Sequence, residues 1–324
     1  MTTLSVAIPC YNEAGGLSEL HRRVTAACRG GDSDDYEIVL VNDGSTDATW
    51  ETISALAAQD SHIVGVNLSR NHGHQLALCA ALSYCRGDRI LILDADLQDP
   101  PEILPQMMQL MDQGADVVYG QRRSRSGETH AKKITAALFY RILDKLTDVP
   151  IPRDTGDFRL MSRRVLDVLQ DMPERQRFTR GMIAWIGFPQ VPILYDRAPR
   201  FAGHTNYPVR RMITFAFDAI TSFSIRPLRV GLYLGTFMCG TALALIVVTL
   251  LWWFLFTPFP GWASLMVMFL LIGGVQTILL GLIGEYISRL YLESKRRPLF
   301  IVREVLNADR ARTNVARMQS SAQD

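Results

Sequence analysis

The chain has 324 residues, 48% apolar and 20% charged, with a net charge of +2. That balance gives no electrostatic footprint for nucleic acid. Five scattered cysteines (Cys10, Cys28, Cys79, Cys85, Cys239), with no CxxC pair or Cys/His ligand spacing, argue against a disulfide framework or a zinc site. The averages hide a division, because charges are interspersed up to about Pro227 while Val230–Phe256 and Trp262–Gly284 contain none.

No basic stretch followed by an apolar h-region precedes Leu4–Pro9, so the first two-thirds are expected to be cytosolic. From there, short runs rich in Val, Ile and Leu at Ser5–Ile8, Tyr36–Val41, Ile63–Asn67, Arg89–Leu93 and Asp116–Tyr119 predict strands buried on both faces. Between them, Leu17–Ala27, Ala48–Ala58, Gln75–Tyr84 and Ile103–Met111 carry apolar residues at helical spacing. This alternation predicts a doubly wound α/β layer with a mostly parallel sheet. Such sheets bind ligands beyond the carboxyl ends of their strands. Four polar clusters fall there: Tyr11-Asn12-Glu13, Asn42-Asp43-Gly44-Ser45, Asn71-His72-Gly73 and Asp94-Ala95-Asp96.

Gln121–Lys133 is polar, basic and without apolar periodicity, which predicts a loop. A helix near Ile134–Leu146, the segment Asp154–Met161 and a helix over Arg163–Leu169 follow. Tyr207–Ile225 then sets Arg210, Arg211, Thr214, Asp218 and Thr221 on one stripe of an otherwise apolar helix, suited to a membrane interface or to a core. Its place just before Val230–Phe256 favours the interface. That segment and Trp262–Gly284 would span roughly 40 and 35 Å as helices, enough to cross a hydrocarbon core of about 30 Å. Arg226 and Arg229 before the pair and Lys295-Arg296-Arg297 after it, with no basic residue in Thr257–Gly261, predict both ends inside. Pro298–Val305 is expected to form a strand, and the tail from Asn307 is polar. The expected organisation is therefore a catalytic domain over 1–206, an interfacial helix over 207–228, a two-helix hairpin over 229–290, and a strand with a tail over 291–324.

The chemistry is expected at Asp94-Ala95-Asp96. On extended chain, residues two apart point the same way with Cα atoms ~7 Å apart, so the two carboxylates could share a divalent cation, with Gln98 adding an oxygen. Turn and capping chemistry before Pro100 is the plainer account of such a triplet. Asp43, at the end of the second strand, could accept hydrogen bonds from a base or ribose, while Gly44 and Thr46 serve the turn and the helix cap. Neither GxGxxG nor GxxxxGK[ST] occurs, which removes the main support for dinucleotide and P-loop readings.

Together, Ile8-Pro9-Cys10-Tyr11-Asn12-Glu13, Asn42–Asp47, Asp94–Pro101 and Asp154-Thr155-Gly156-Asp157-Phe158-Arg159-Leu160 resemble family 2 glycosyltransferases. Within them the chain is most similar to polyprenyl-phosphate enzymes of the dolichol-phosphate mannose synthase kind, and among those to the bacterial bactoprenol glucosyltransferases of O-antigen modification. Gly284-Glu285-Tyr286-Ile287 and Lys295–Pro298 extend the likeness through the C-terminal region. The resemblance implies a GT-A fold and an inverting transfer of sugar, first of all glucose from UDP-glucose, to undecaprenyl phosphate. N-acetylhexosamine, galactose, aminoarabinose or GDP-mannose donors are the alternatives within that reading. A catalytically inactive sugar-nucleotide sensor is the competing class, and metal-dependent turnover separates the two.

Residue by residue, the resemblance implies that Pro9, Tyr11, Glu13, Asp43, Asn71, Gly73, Asp94 and Ala95 hold the nucleotide sugar. It gives Asp94, Asp96 and Gln98 to Mg²⁺ or Mn²⁺ and places Asp157, Asp96 and Arg159 at the reacting centre. Arg122, Lys132, Lys133, Arg200 and Tyr207 would hold the acceptor phosphate. Asn206 stands where the family commonly has a lysine, one cation fewer on the acceptor side. The implied setting is a bacterial inner membrane, with the catalytic domain and both termini cytoplasmic and a tetramer by analogy.

Overall fold

The computed structural model describes residues 4–30, 35–123, 155–175, 177–196 and 261–307, with isolated positions between 233 and 255. Its contacts divide the chain into two units, one of 1–140, 149–208 and 296–324, the other of 141–148 and 209–295.

The first unit is built on one eight-stranded sheet. Its elements are β1 (Leu4–Cys10), α1 (Leu17–Arg29), β2 (Tyr36–Asn42), α2 (Thr49–Gln59), β3 (Ile63–Leu68), α3 (His74–Tyr84), β4 (Arg89–Ile92), a 3₁₀ turn (Pro101–Ile103) and α4 (Leu104–Asp112). They continue with β5 (Val117–Arg122), β6 (Thr155–Ser162), α5 (Arg163–Asp171), α6 (Thr179–Ile186), β7 (Gln190–Tyr195) and β8 (Val302–Leu306). Every residue of β1, β2 and β3 is buried, as apolar runs covered by helices on both faces must be. The core gathers Val6, Ile8, Ile38 and Leu40 of the sheet with Leu17, Leu20, Ile53, Leu104 and Met107 of the helices.

The sheet order is β7-β5-β6-β4-β1-β2-β3-β8. β3, β2, β1 and β4 run parallel, but β6 is antiparallel to both β4 and β5, and β8 is antiparallel to β3. The sheet is therefore mixed but mostly parallel, as expected, with β6 and β8 the two strands that run the other way. β4 and β5 are joined through helix and turn, and β6 enters between them antiparallel to both. Neither α6 nor β7 was expected, and β7 extends the sheet parallel to β5.

This topology positions the site. Cys10, Asn42 and Asn67 pair at one level, so the loops after β1, β2 and β3 leave the sheet at one edge. β6 reaches the same edge from the other direction: its Arg159 pairs with Ile92, the last residue of β4. Continuing that register sets Asp157 beside Asp94, two residues past the end of β4.

In the second unit, α7 runs Trp262–Ser294. It continues ten residues past the Gly284 end expected for this span, because Glu285–Ser294 contains no proline or glycine to stop it. Among the described residues it is the one helix long and apolar enough to cross a membrane, and none of its most apolar window is buried within the chain. The helices expected at Ile134–Leu146 and Tyr207–Ile225 lie outside the described residues, as does nearly all of Val230–Phe256.

Candidate active site

The loops after β2 and β3 are locked together. Gly44 adopts φ +62°, and a Cβ there would lie 2.4 Å from the Asn71 main-chain nitrogen, so only glycine fits. Asp43, 2% exposed, accepts the main-chain N–H groups of His72 at 2.7 Å and Gly73 at 3.0 Å. Burial raises the Asp43 carboxyl above its ordinary value despite those two bonds. Asn42 Nδ2 donates to Asn67 Oδ1 at 2.8 Å, tying the two strand ends beneath the loops.

The loop after β1 joins from the other side. Asn12, with φ +57°, accepts from Thr46 N–H through its Oδ1 at 2.8 Å, and its own N–H donates to Ser45 Oγ at 3.0 Å. The Glu13 N–H donates to Thr49 Oγ1 at 2.9 Å. Pro9 is buried in β1, while Tyr11 stands 47% exposed above the sheet edge. The expected nucleotide residues Pro9, Tyr11, Glu13, Asp43, Asn71 and Gly73 thus share one rim.

β4 stops at Ile92, and residues 95–96 lie in a turn continued by Leu97 at φ +59°. The extended-strand argument for pairing Asp94 with Asp96 therefore does not hold. Asp96 Oδ1 instead accepts the Gln98 N–H at 3.1 Å, the turn chemistry that ends such a strand. Ala95 is buried beneath the turn. Asp94 meets other partners: a ligand atom of Asp94, one of His74 and one of Asp157 all lie within 4.8 Å of one another. Asp94 Oδ1 is buried, forms no hydrogen bond, and stands 3.5 Å from His74 Nε2. Burial, reinforced by Asp157, Asp99 and Asp96 and opposed by His74, pushes the Asp94 carboxyl up to about 6.

Asp157 is furnished in the opposite way. Its Oδ1 accepts Arg180 Nε at 2.8 Å; its Oδ2 accepts Gln75 Nε2 at 3.1 Å and lies 3.1 Å from His74 Nε2. The side chain is 4% exposed, and burial alone would raise its pKa. The hydrogen bond from His74 and the charges of Arg180, His74 and Arg159 outweigh burial and hold the carboxylate far below its usual range. Burial likewise works against a charged His74, but the bond to Asp157 and the charges of Asp94 and Asp157 leave the imidazole raised.

Arg159 is 4% exposed and donates Nε and Nη2 to the carbonyls of Asp157 and Gly156, at 3.3 and 3.1 Å. Burial, with Arg180 repelling and Asp157 attracting, brings it down to about 10. Arg122 lies across the strand from the Asp157 carboxylate. Its Nη2 is 3.4 Å from where a Gly156 Cβ would sit, and successive strand residues face opposite sides. On that side the Tyr195 hydroxyl donates to Asp99, and Phe158 packs edge-on to Tyr195 at 5.6 Å. Lys132, Lys133, Arg200 and Tyr207 lie outside the described residues.

Sequence reasoning missed His74, Gln75 and Arg180. His74 and Gln75 open α3 directly after the positive-φ Gly73, and Arg180 lies in the first turn of α6. A helix beginning straight after a polar strand-end cluster was the available signal for the first two. Nothing in the sequence reading pointed to Arg180.

A cation fits this site by the chemistry of its donors. Asp94 presents a buried oxygen without a hydrogen bond among three other carboxylates, and hard oxygen donors suit Mg²⁺ or Mn²⁺. Asp157 already carries its protein donors, so the oxygen open to a cation is that of Asp94.

Residues 5–169 match the family model for glycosyl transferase family 2, and residues 226–290 match the GtrB C-terminal hairpin. An uncharacterized glycosyltransferase of Synechocystis (sll0501) is 44% identical over 93% of this chain and 95% of its own. The bactoprenol glucosyl transferase of Shigella phage SfV is 38% identical over 93% of this chain and 98% of its own. A glucosyl-3-phosphoglycerate synthase from Mycobacterium tuberculosis, solved with Mn²⁺, UDP-glucose and phosphoglyceric acid, is 21% identical over 68% of this chain and 78% of that one, with a TM-score of 0.43.

Proposed function

The chain belongs to the family 2 glycosyltransferases, and from that premise we propose that it transfers glucose from UDP-glucose to a polyprenyl phosphate at the cytoplasmic face of a bacterial membrane. The acceptor class and the sugar follow the relative named bactoprenol glucosyl transferase. Membrane attachment is supported by the match to the GtrB C-terminal hairpin and by the bare apolar length of α7. UDP-N-acetylhexosamine, UDP-galactose, an aminoarabinose donor and GDP-mannose are the other donors to be tested.

The observation that carries the reading is the contrast between two neighbouring carboxylates, Asp94 with a buried oxygen lacking any hydrogen bond and Asp157 surrounded by donors. Asp94, with Asp96 and Gln98 as further oxygen donors, would hold Mg²⁺ or Mn²⁺. Such a cation supplies charge neutralisation for a departing diphosphate. The rim of Pro9, Tyr11, Glu13, Asp43, Asn71 and Gly73 is assigned to the nucleotide. Its preformed lock between Asp43 and the loop of His72 and Gly73 costs no ordering when the donor binds.

The transfer is an inverting displacement in which an acceptor phosphate oxygen forms the bond to the anomeric carbon as the nucleoside diphosphate leaves. A phosphate monoester has its second pKa near ~6 and is already mostly a dianion at neutral pH. Proton removal is then nearly superfluous, and Asp157, held ionised by its donors, acts by orientation. Arg122, Lys132, Lys133, Arg200 and Tyr207 are proposed on the acceptor side from the family resemblance.

The decisive test incubates the purified protein with undecaprenyl phosphate, Mg²⁺ or Mn²⁺ and the panel of nucleotide sugars, with lipid products read by mass spectrometry. UDP-glucose should give the glucosylated lipid only when the metal is present. Absence of a glycolipid with every donor refutes the proposal.

A further inference from the structure

Asp157 is one carboxylate set among three cationic groups. His74 and Arg180 engage its oxygens, and Arg159 is packed against the same residue but donates to main-chain carbonyls rather than to a carboxylate. His74 is shared between Asp157 and Asp94, while Arg159 meets no carboxylate, so the Asp157 end of the site keeps cationic donors to spare for an anion. Buried charge left without a partner is costly, and a substrate anion would relieve it.

Arg180 is the member placed to meet that anion. Its Nε is spent on Asp157 and its Nη1 on the Thr155 carbonyl at 2.9 Å, which fixes the plane of the guanidinium. Its Nη2 donates to no described residue, and the side chain keeps 30% of its surface open, against 4% for Asp157. A guanidinium pinned along one edge and open along the other is preorganised for a phosphate oxygen.

The order of groups says which phosphate. Contacts run from Asp94 to His74, from His74 to Asp157 and from Asp157 to Arg180, at 3.5, 3.1 and 2.8 Å. The proposed diphosphate and cation belong at the Asp94 end. Inversion requires the entering oxygen on the opposite side of the anomeric carbon from the leaving one, which is toward Arg180. Arg122, whose Nη2 lies 3.4 Å from where a Gly156 Cβ would sit, approaches from the other face of β6.

We infer that the open Nη2 edge of Arg180 binds the acceptor's phosphate, with Asp157 and the Thr155 carbonyl holding the guanidinium in place. The inference rests on the proposed transfer to a polyprenyl phosphate and names a contact for that acceptor.

The test compares wild type, Arg180→Ala and Arg180→Lys as full-length proteins, with undecaprenyl phosphate and UDP-glucose each varied against a saturating partner. Loss of a charge-assisted bond to phosphate should raise the acceptor KM of Arg180→Ala about tenfold or more. The donor KM should stay within about twofold by the same reasoning, since the diphosphate is held elsewhere. Lysine keeps the charge but not the fork, so Arg180→Lys should fall between the two. Added guanidinium should lower the acceptor KM of Arg180→Ala and leave wild type unchanged. An acceptor KM unchanged in the lysine variant, or a donor KM that rises as much as the acceptor KM, overturns the inference; the lysine variant decides if the alanine variant does not fold. Wild type that forms no glycolipid at all overturns the parent reading instead.

Discussion

Asp94→Asn should make the metal-free protein more stable while removing its chemistry. The Asp94 carboxyl stands at about 6 against an ordinary 3.8, a rise caused first by burial and then by neighbouring carboxylates. Two pKa units at about 1.4 kcal/mol each set a ceiling of about 3 kcal/mol. The side chain is 26% exposed, so water screens part of that, leaving about 1–2 kcal/mol. The folded state binds this proton more tightly than the unfolded state does. Its penalty is therefore absent below about pH 4, grows between pH 4 and 6, and is complete above 6. Asparagine keeps the shape and removes the charge. For a domain of roughly 200 residues, the gain should raise the melting midpoint by about 2–8 °C. Thermal melts in EDTA at pH 7.5 and pH 4 measure it. The variant should melt above wild type at pH 7.5 and level with it at pH 4, and Mn²⁺ should raise wild type only. An Asp94→Asn protein melting at or below wild type in EDTA at pH 7.5 refutes the reasoning.

Three further outcomes are expected. Because its donors hold Asp157 well below the usual carboxylate range, it is ionised throughout pH 6–8.5, and the loss of kcat in Asp157→Asn should be equal at both ends; a loss that changes across that range restores a proton-accepting role. Gly44→Ala forces a Cβ to within 2.4 Å of the Asn71 nitrogen at a positive φ, which should cost about 1–3 kcal/mol and raise the donor KM, read by thermal melts and steady-state kinetics. Glu37 is fully buried and accepts from Ser5 Oγ, the Arg86 N–H and the Arg86 guanidinium; Glu37→Gln should cost about 3 kcal/mol in chemical denaturation, with kcat of the surviving folded protein near that of wild type.

What the sequence disclosed depended on how each element is buried. β1 to β3 are covered on both faces, so their runs of Val, Ile and Leu stand out from the helices between them. β7 (QVPILY) does not alternate apolar with polar residues and contains Pro192, and α6 is only eight residues long, so neither yields a periodic signal. Asp43 and Asp94 were legible because they follow strands, whereas Asp157, inside β6, came only from the family resemblance. Their partners were not, because His74, Gln75 and Arg180 acquire meaning only when β6 enters antiparallel and sets Asp157 beside α3 and α6. The extended-chain argument for Asp94 and Asp96 fails for a local reason: β4 ends at Ile92, before either residue, and the chain turns through a left-handed Leu97.

The position of β8 bears on how the protein is made. The strand pairs with β3 and sets Leu306 against Gly65, while Asn307 Nδ2 donates to the carbonyls of Ala57 and Ile63 at 3.1 and 2.8 Å. The polypeptide that completes this edge of the catalytic sheet is thus translated after the hairpin region. Until it emerges from the ribosome, β3 presents bare main-chain hydrogen-bonding groups, the kind of open edge that recruits the wrong strand. Assembly of the enzyme therefore finishes from its C-terminus, after the stretch matched to the hairpin has left the exit tunnel.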